Sequence, residues 1–108
     1  MPVNTELLRK VRETIRRHPE KHDQGNWGLK TECGTTHCIA GWAAFLSGAV
    51  IDWERELDGA WSADTVNGGA RSIEDYARDA LGLTFDQSNI FYMGRDDALR
   101  RLDRLIEQ

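Results

Sequence analysis

The sequence predicts a mainly α fold: a compact single domain of four to five short helices, with room for one small β-hairpin. Three observations point there. Apolar residues recur at helical spacing in residues 5–18, 38–47 and 96–106. Helix-start and helix-stop residues bracket these stretches and two shorter ones between them. A chain of 108 residues, 40% hydrophobic and 30% charged, suits one buried core rather than two domains or a disordered polymer.

The first helix opens at Asn4 or Thr5, either of which can cap it, and Glu6 complements its positive end. Leu7, Leu8, Val11 and Ile15 form its buried stripe, and Pro19 stops it near His18. A polar connection follows, after which Trp27 and Leu29 alternate with small or polar residues as in a short extended segment. The second helix is expected to start at Thr35 or Thr36. Ile39, Trp42, Ala43 and Leu46 share one face, and Ala40, Gly41 and Ala44 keep the other thin, so this helix can be packed on both sides. It is the candidate centre of the domain, and Ser47-Gly48 closes it.

Residues 49–70 lack helical periodicity. Val50, Ile51 and Trp53 read either as a short strand or as an extension of the second helix. In the first case Trp61 to Val66 is the other arm of a small hairpin turned at Asp58-Gly59, with Asn67-Gly68-Gly69 as a further turn or loop. Helical pattern then resumes. Ser72 and Asp75 form a capping-box variant ahead of Ile73, Tyr76, Ala77, Ala80 and Leu81, ended by Gly82. Thr84 and Gln87 form a second box, opening a short helix expected to bury Phe85, Ile90 and Phe91. Asp96 or Asp97 starts the last helix, with Ala98, Leu99, Leu102, Leu105 and Ile106 inward. Asp96–Arg100 and Asp97–Arg101 are its expected i,i+4 pairs.

Charge and hydropathy narrow the function classes. The net charge of −4 argues against nucleic acid as a partner, although Arg9, Arg12 and Arg16 share a stripe of the first helix. Acids dominate residues 51–79. The longest apolar run, Cys38 to Leu46, is far shorter than the ~20 residues that span a bilayer, so no membrane partner is read. The opening MPVNTELLRK lacks a secretory pattern, and the expected compartment is the cytoplasm, where paired cysteines stay reduced.

The segment Glu32 to Trp42, ECGTTHCIAGW, concentrates the chemistry-bearing residues. Cys33, His37 and Cys38, with His22 as a fourth, are the candidate metal ligands. Structural zinc needs four N or S donors in a tetrahedron, and the second close pair is missing. Cys38 near a helix start invites a nucleophile reading, yet no histidine follows it to serve as base. A Cys33–Cys38 disulfide is short enough to close, against a reducing compartment. Buried thiols, small hydrophobes packed at a helix start, are the simpler reading, and no cofactor is expected.

Four tryptophans leave an interaction surface as the other candidate. Trp42 belongs to the core stripe and Trp27 is expected to support it. Trp53 and Trp61, with Glu54 and Glu56, form the candidate partner-binding patch; a satellite cluster packing the hairpin onto the helices is the plainer alternative.

The block Cys33-Gly34-Thr35-x-x-Cys38-Ile39-Ala40-Gly41-Trp42 resembles one in a loose group of short uncharacterised proteins of actinobacteria and their phages. Leu81-Gly82-Leu83-Thr84 and Phe91-Tyr92 resemble its later helix junction and aromatic, whereas Met93-Gly94-Arg95 stands where that group has a Trp-Pro pair. The resemblance implies a small cytosolic accessory protein of phage or prophage origin. The expected function is a non-enzymatic protein-interaction module, a regulator or inhibitor of a host protein. The alternative is a zinc- or thiol-dependent protein centred on Cys33 and Cys38.

Overall fold

The computed structural model describes residues 3–31, 34–56 and 59–107. Helix α1 (Thr5–Arg17) starts where the sequence places it. Asn4 Oδ1 accepts the Leu7 N–H at 3.1 Å, while the Asn4 backbone and side-chain amides donate to the carbonyls of Leu81 and Ala80. One residue thus caps α1 and fastens it to the end of α3 (Ile73–Leu81). Ser72 caps α3 by accepting from Asp75 N–H, and Gly82 ends it in the left-handed conformation. The Thr84–Gln87 box is reciprocal: each side chain accepts the other's backbone N–H, at 2.9 and 3.1 Å. It opens a 3₁₀ helix, Gln87–Tyr92, before α4 (Arg95–Glu107).

Helix α2 (Ile39–Leu46) is the centre of the domain as expected, packed against α1 and α3, with Ile39 to Ala44 all buried. Leu8, Val11 and Ile15 of α1, Ile73, Ala77 and Leu81 of α3, and Ala98, Leu102 and Leu105 of α4 complete the core. The start of α2 differs from expectation. Its N-cap is Cys38, in extended backbone, while Thr35 and Thr36 belong to a strand. Threonine favours strands as well as caps, and here cross-strand pairing outweighs the local cap.

The helical framework is as expected, but the fold is mixed rather than purely α. Strands β1 (Leu29–Thr31), β2 (Gly34–Thr36), β3 (Glu54–Arg55) and β4 (Trp61–Ser62) form an antiparallel sheet in the order β2-β1-β4-β3. The expected hairpin is found only in part. Its arms are Glu54–Arg55, just beyond Val50, Ile51 and Trp53, and Trp61–Ser62 alone, and the expected turn residue Asp58 lies outside the described residues. Strand β4 also pairs with β1, which joins two distant parts of the chain. A second ribbon, β5 (Thr65–Val66) with β6 (Arg71–Ser72), attaches through an Ile51–Val66 bridge. Its turn runs through Asn67, Gly68 and Gly69, all at positive φ, and the Asp52 carboxylate accepts the N–H groups of Gly68 and Gly69 at 2.9 and 2.7 Å. Asp52 is therefore a clamp on this turn.

Two helical details also differ. Phe85 is 74% exposed rather than buried, with the Arg78 guanidinium 5.0 Å from its ring centre. On α4 the ion pair is Asp97–Arg100, one residue closer than the expected pairs.

Candidate functional site

The segment between the first helix and the sheet is organised by two buried histidines. The residue pair His22 and His37 forms a parallel bridge, and the Lys21 carbonyl accepts both the His37 N–H and the Trp42 indole N–H, at 3.0 and 3.1 Å. His37 Nδ1 lies 2.8 Å from the Trp27 carbonyl oxygen. A carbonyl only accepts, so Nδ1 carries a proton. The hydrogen bond fixes which nitrogen is protonated in the neutral ring, and burial is what disfavours a second proton on Nε2. Burial pushes the His37 pKa down, against a smaller upward pull from that hydrogen bond. The ring is walled by Trp42, Trp53 and Phe45, with centroids 4.9, 5.8 and 6.1 Å away. His37 thus positions three aromatic side chains, a role its neighbours in sequence gave no sign of.

These aromatics line a groove of about 590 Å³ whose wall is completed by Ala49, Val50, Ile51 and Thr35 and whose rim carries Lys21 and Lys30. Phe45 is 53% exposed and Val50 66%, whereas Trp42 is buried and forms the floor. Lys30 Nζ sits 5.2 Å from the centre of the Trp53 ring, a cation–π contact. Glycine at position 28 permits the wall: a Cβ there would come within 3.2 Å of both Trp53 and His37. A shallower apolar depression continues from Trp42 and Phe45 over Leu46 toward Arg17 and His18 of the α1 end.

The candidate partner-binding residues do not form one patch. Residues directly opposite in an antiparallel sheet point to the same side, and the register places Thr35, Lys30, Trp61 and Arg55 in one row and Thr36, Leu29, Ser62 and Glu54 in the next. Trp61 therefore shares its face with Lys30 and the groove that Trp53 lines. Glu54 and Glu56 lie on the other side, around a small cavity with Ser62, Ala63 and Asp64, where Ser62 Oγ donates to Glu56. Strand alternation separates the aromatics from the acids, which reading them as one acidic segment overlooked. Trp27, expected to support Trp42, packs edge-on against Phe91 and Tyr92 instead.

The candidate metal ligands also diverge. His37 faces the groove, while Cys38, 1% exposed, lies under a cavity with Gln24, Asn26, Trp27, Phe91 and Tyr92. Successive side chains in extended backbone point to opposite sides. Burial pushes the Cys38 thiol up to about 11, so it is neutral at pH 7 and a poor nucleophile or ligand. His22 Nε2 donates to Gln24 Oε1 at 2.8 Å; that amide is oriented by its own N–H bonds to the Ile90 and Phe91 carbonyls. His22 Nδ1 is buried without a hydrogen-bond partner among the described residues. Among those residues no group of three His, Cys, Asp or Glu side chains could hold a metal ion. Cys33, and with it the disulfide and zinc readings that require it, lies outside the described residues.

The chain matches no protein-family model, and no curated protein or solved structure is significantly similar to it.

The arginine stripe on α1 is largely engaged within the protein. Arg12 pairs with Asp103 of α4 at 2.8 Å, and Arg16 and Arg17 share Glu13. Among the described residues, no helix is long and apolar enough to cross a membrane.

Proposed function

We propose that this chain is a non-enzymatic interaction module, a small regulator or inhibitor, that binds a partner protein by taking one bulky apolar side chain of that partner into the aromatic groove. The observation that supports this most is the combination of a rigid floor and an exposed wall. Trp42 is tied by its indole N–H to the Lys21 carbonyl and His37 is held by the Trp27 carbonyl, while Phe45, Val50 and part of Trp53 remain open to solvent. Aromatic side chains held in place before binding lose little conformational freedom on contact, which is why such residues dominate interface energetics. The groove volume of about 590 Å³ accommodates an aromatic or leucine-sized anchor.

Affinity capture with matched variants tests the reading. Phe45→Ala and Trp53→Ala should each lose a partner that the unaltered chain retains. A hot-spot aromatic of this kind contributes about 2 kcal/mol or more, roughly thirtyfold in Kd. Phe85→Ala, which removes an exposed aromatic remote from the groove, should keep it. Identical recovery by all four proteins would remove the groove as the binding site.

A further inference from the structure

We propose that the segment taken by the groove is acidic: its apolar anchor enters between Trp42, Phe45 and Trp53 while flanking carboxylates pair with Lys21, Lys30 and Arg55. This rests on the groove being a partner-binding site, and it adds the chemistry that the partner must carry.

Three observations converge on it. The described residues lining the groove include two lysines and no aspartate or glutamate, in a chain whose net charge is −4. Lys21, Lys30 and Arg55 are all exposed and none forms an ion pair among the described residues. Arg9, Arg95, Arg101 and Arg104 share that freedom, but only the first three lie at the groove or on the sheet face that continues it. The strand register then extends the cationic rim beyond the groove. Lys30, Trp61 and Arg55 are direct cross-strand neighbours, so an aromatic flanked by two cations continues the same face outward from Trp53.

Among the described acids of this region, Glu54, Glu56 and Asp64 lie around the cavity on the opposite side of the sheet, and Asp52 is taken up by Thr65, Gly68 and Gly69. Two faces of one small sheet thus carry opposite charge, and the positive one bears the exposed aromatics. Aromatic walls alone would also suit a cationic ligand. The lysine rim repels such a ligand and attracts an acidic one, so the rim decides the sign. Burial disfavours a charge on His37, so the cations of the rim are the lysines rather than this ring.

A displayed random-peptide library panned against the full chain tests the proposal, with enriched sequences resynthesised as fluorescein-labelled peptides for polarisation assays. Enriched peptides should carry Trp, Phe or Leu with Asp or Glu within about three positions, the reach of neighbouring side chains on an extended segment. Their binding should weaken about tenfold in a Lys21→Gln/Lys30→Gln double variant and as salt is raised, since rim charges act through screened attraction. Glu54→Gln/Glu56→Gln should bind them as well as the unaltered chain does, and matching thermal melts would establish that every variant is folded. Neutral or basic peptides whose binding still depends on Trp53 would overturn the acidic partner while leaving the groove reading intact. Peptides indifferent to Trp53→Ala, no enrichment at all, or a dimer of this chain that dissociates on Trp53→Ala would overturn both.

Discussion

Gly41, in the first turn of α2, passes so close to the main-chain carbonyl of Trp27 that a Cβ at position 41 would lie 1.9 Å from the oxygen. The same Cβ would meet His37 Nδ1 at 2.7 Å. Since that carbonyl is also the acceptor that holds His37, one contact couples the central helix to the groove wall.

Replacing Gly41 with Ala should therefore destabilise the protein. Alanine gains roughly 1 kcal/mol of helix propensity over glycine. The clash is with backbone rather than a flexible side-chain end, and overpacking of this kind costs about 1–3 kcal/mol. The net expectation is a lower urea midpoint for Gly41→Ala, with Trp53 fluorescence altered as the wall moves. Gly25→Ala, whose added methyl meets only the Asp23 carboxylate at an ordinary 3.5 Å, is the comparison and should cost less.

Stability should fall as pH drops below about 6.5. Burial lowers the pKa values of both His22 and His37, so the folded state keeps them neutral while the unfolded chain takes up protons near the ordinary histidine value. The unfolded state then binds more protons, and stability rises with pH through this window. Each histidine can contribute at most about 1.4 kcal/mol per pH unit. Urea midpoints measured at pH 7.5 and 5.5 check this; a midpoint that is unchanged, or higher at pH 5.5, contradicts it.

Cys38 should react with thiol reagents only through opening of the structure. Its thiol is buried and its pKa is raised to about 11, mainly by desolvation, so almost none is thiolate at pH 8. In a Cys33→Ser background, labelling of the remaining thiol should be slow and should speed up with sub-denaturing urea. Rapid labelling of the native protein would mean that the cavity bounded by Gln24, Asn26, Trp27, Phe91 and Tyr92 admits reagent.

Asp52→Asn should weaken the fold at neutral pH and do so less in acid. The N–H groups of Gly69 and Gly68 and the Thr65 hydroxyl hold the Asp52 carboxylate below its ordinary pKa. A depressed carboxylate stabilises the native state above its unfolded pKa, and that contribution disappears as pH falls through the folded value. The gap between wild-type and Asp52→Asn midpoints should therefore narrow below about pH 4. A gap that is constant with pH would assign Asp52 a purely steric part in the turn.

Thr84–Gln87 and Ser72–Asp75 show what a linear reading captures. Each cap joins residues three apart, so its partners are legible in sequence. Thr84 and Gln87 make both bonds of the box, while Ser72 accepts from Asp75 N–H and the Asp75 carboxylate pairs with Arg78. Phe85 shows the limit of such reading, because an apolar residue just inside a cap can face either core or solvent, and here it faces solvent.

Local order alone specified the four helices, apart from the start of α2, and their buried stripes, because periodicity and capping act within one or two turns. The burial of Cys38 and the centrality of α2 were legible on the same basis. Tertiary structure alone decided the groove. Lys21, Lys30, His37, Trp42, Phe45, Val50 and Trp53 come from the connection after α1, two strands' surroundings, α2 and the segment beyond it. They meet because strands of two or three residues, too short to leave a periodic trace, pair across more than thirty positions of chain. That same pairing put Trp61 between Lys30 and Arg55 and Glu54 on the other side of the sheet, a separation set by cross-strand register rather than by neighbourhood in sequence.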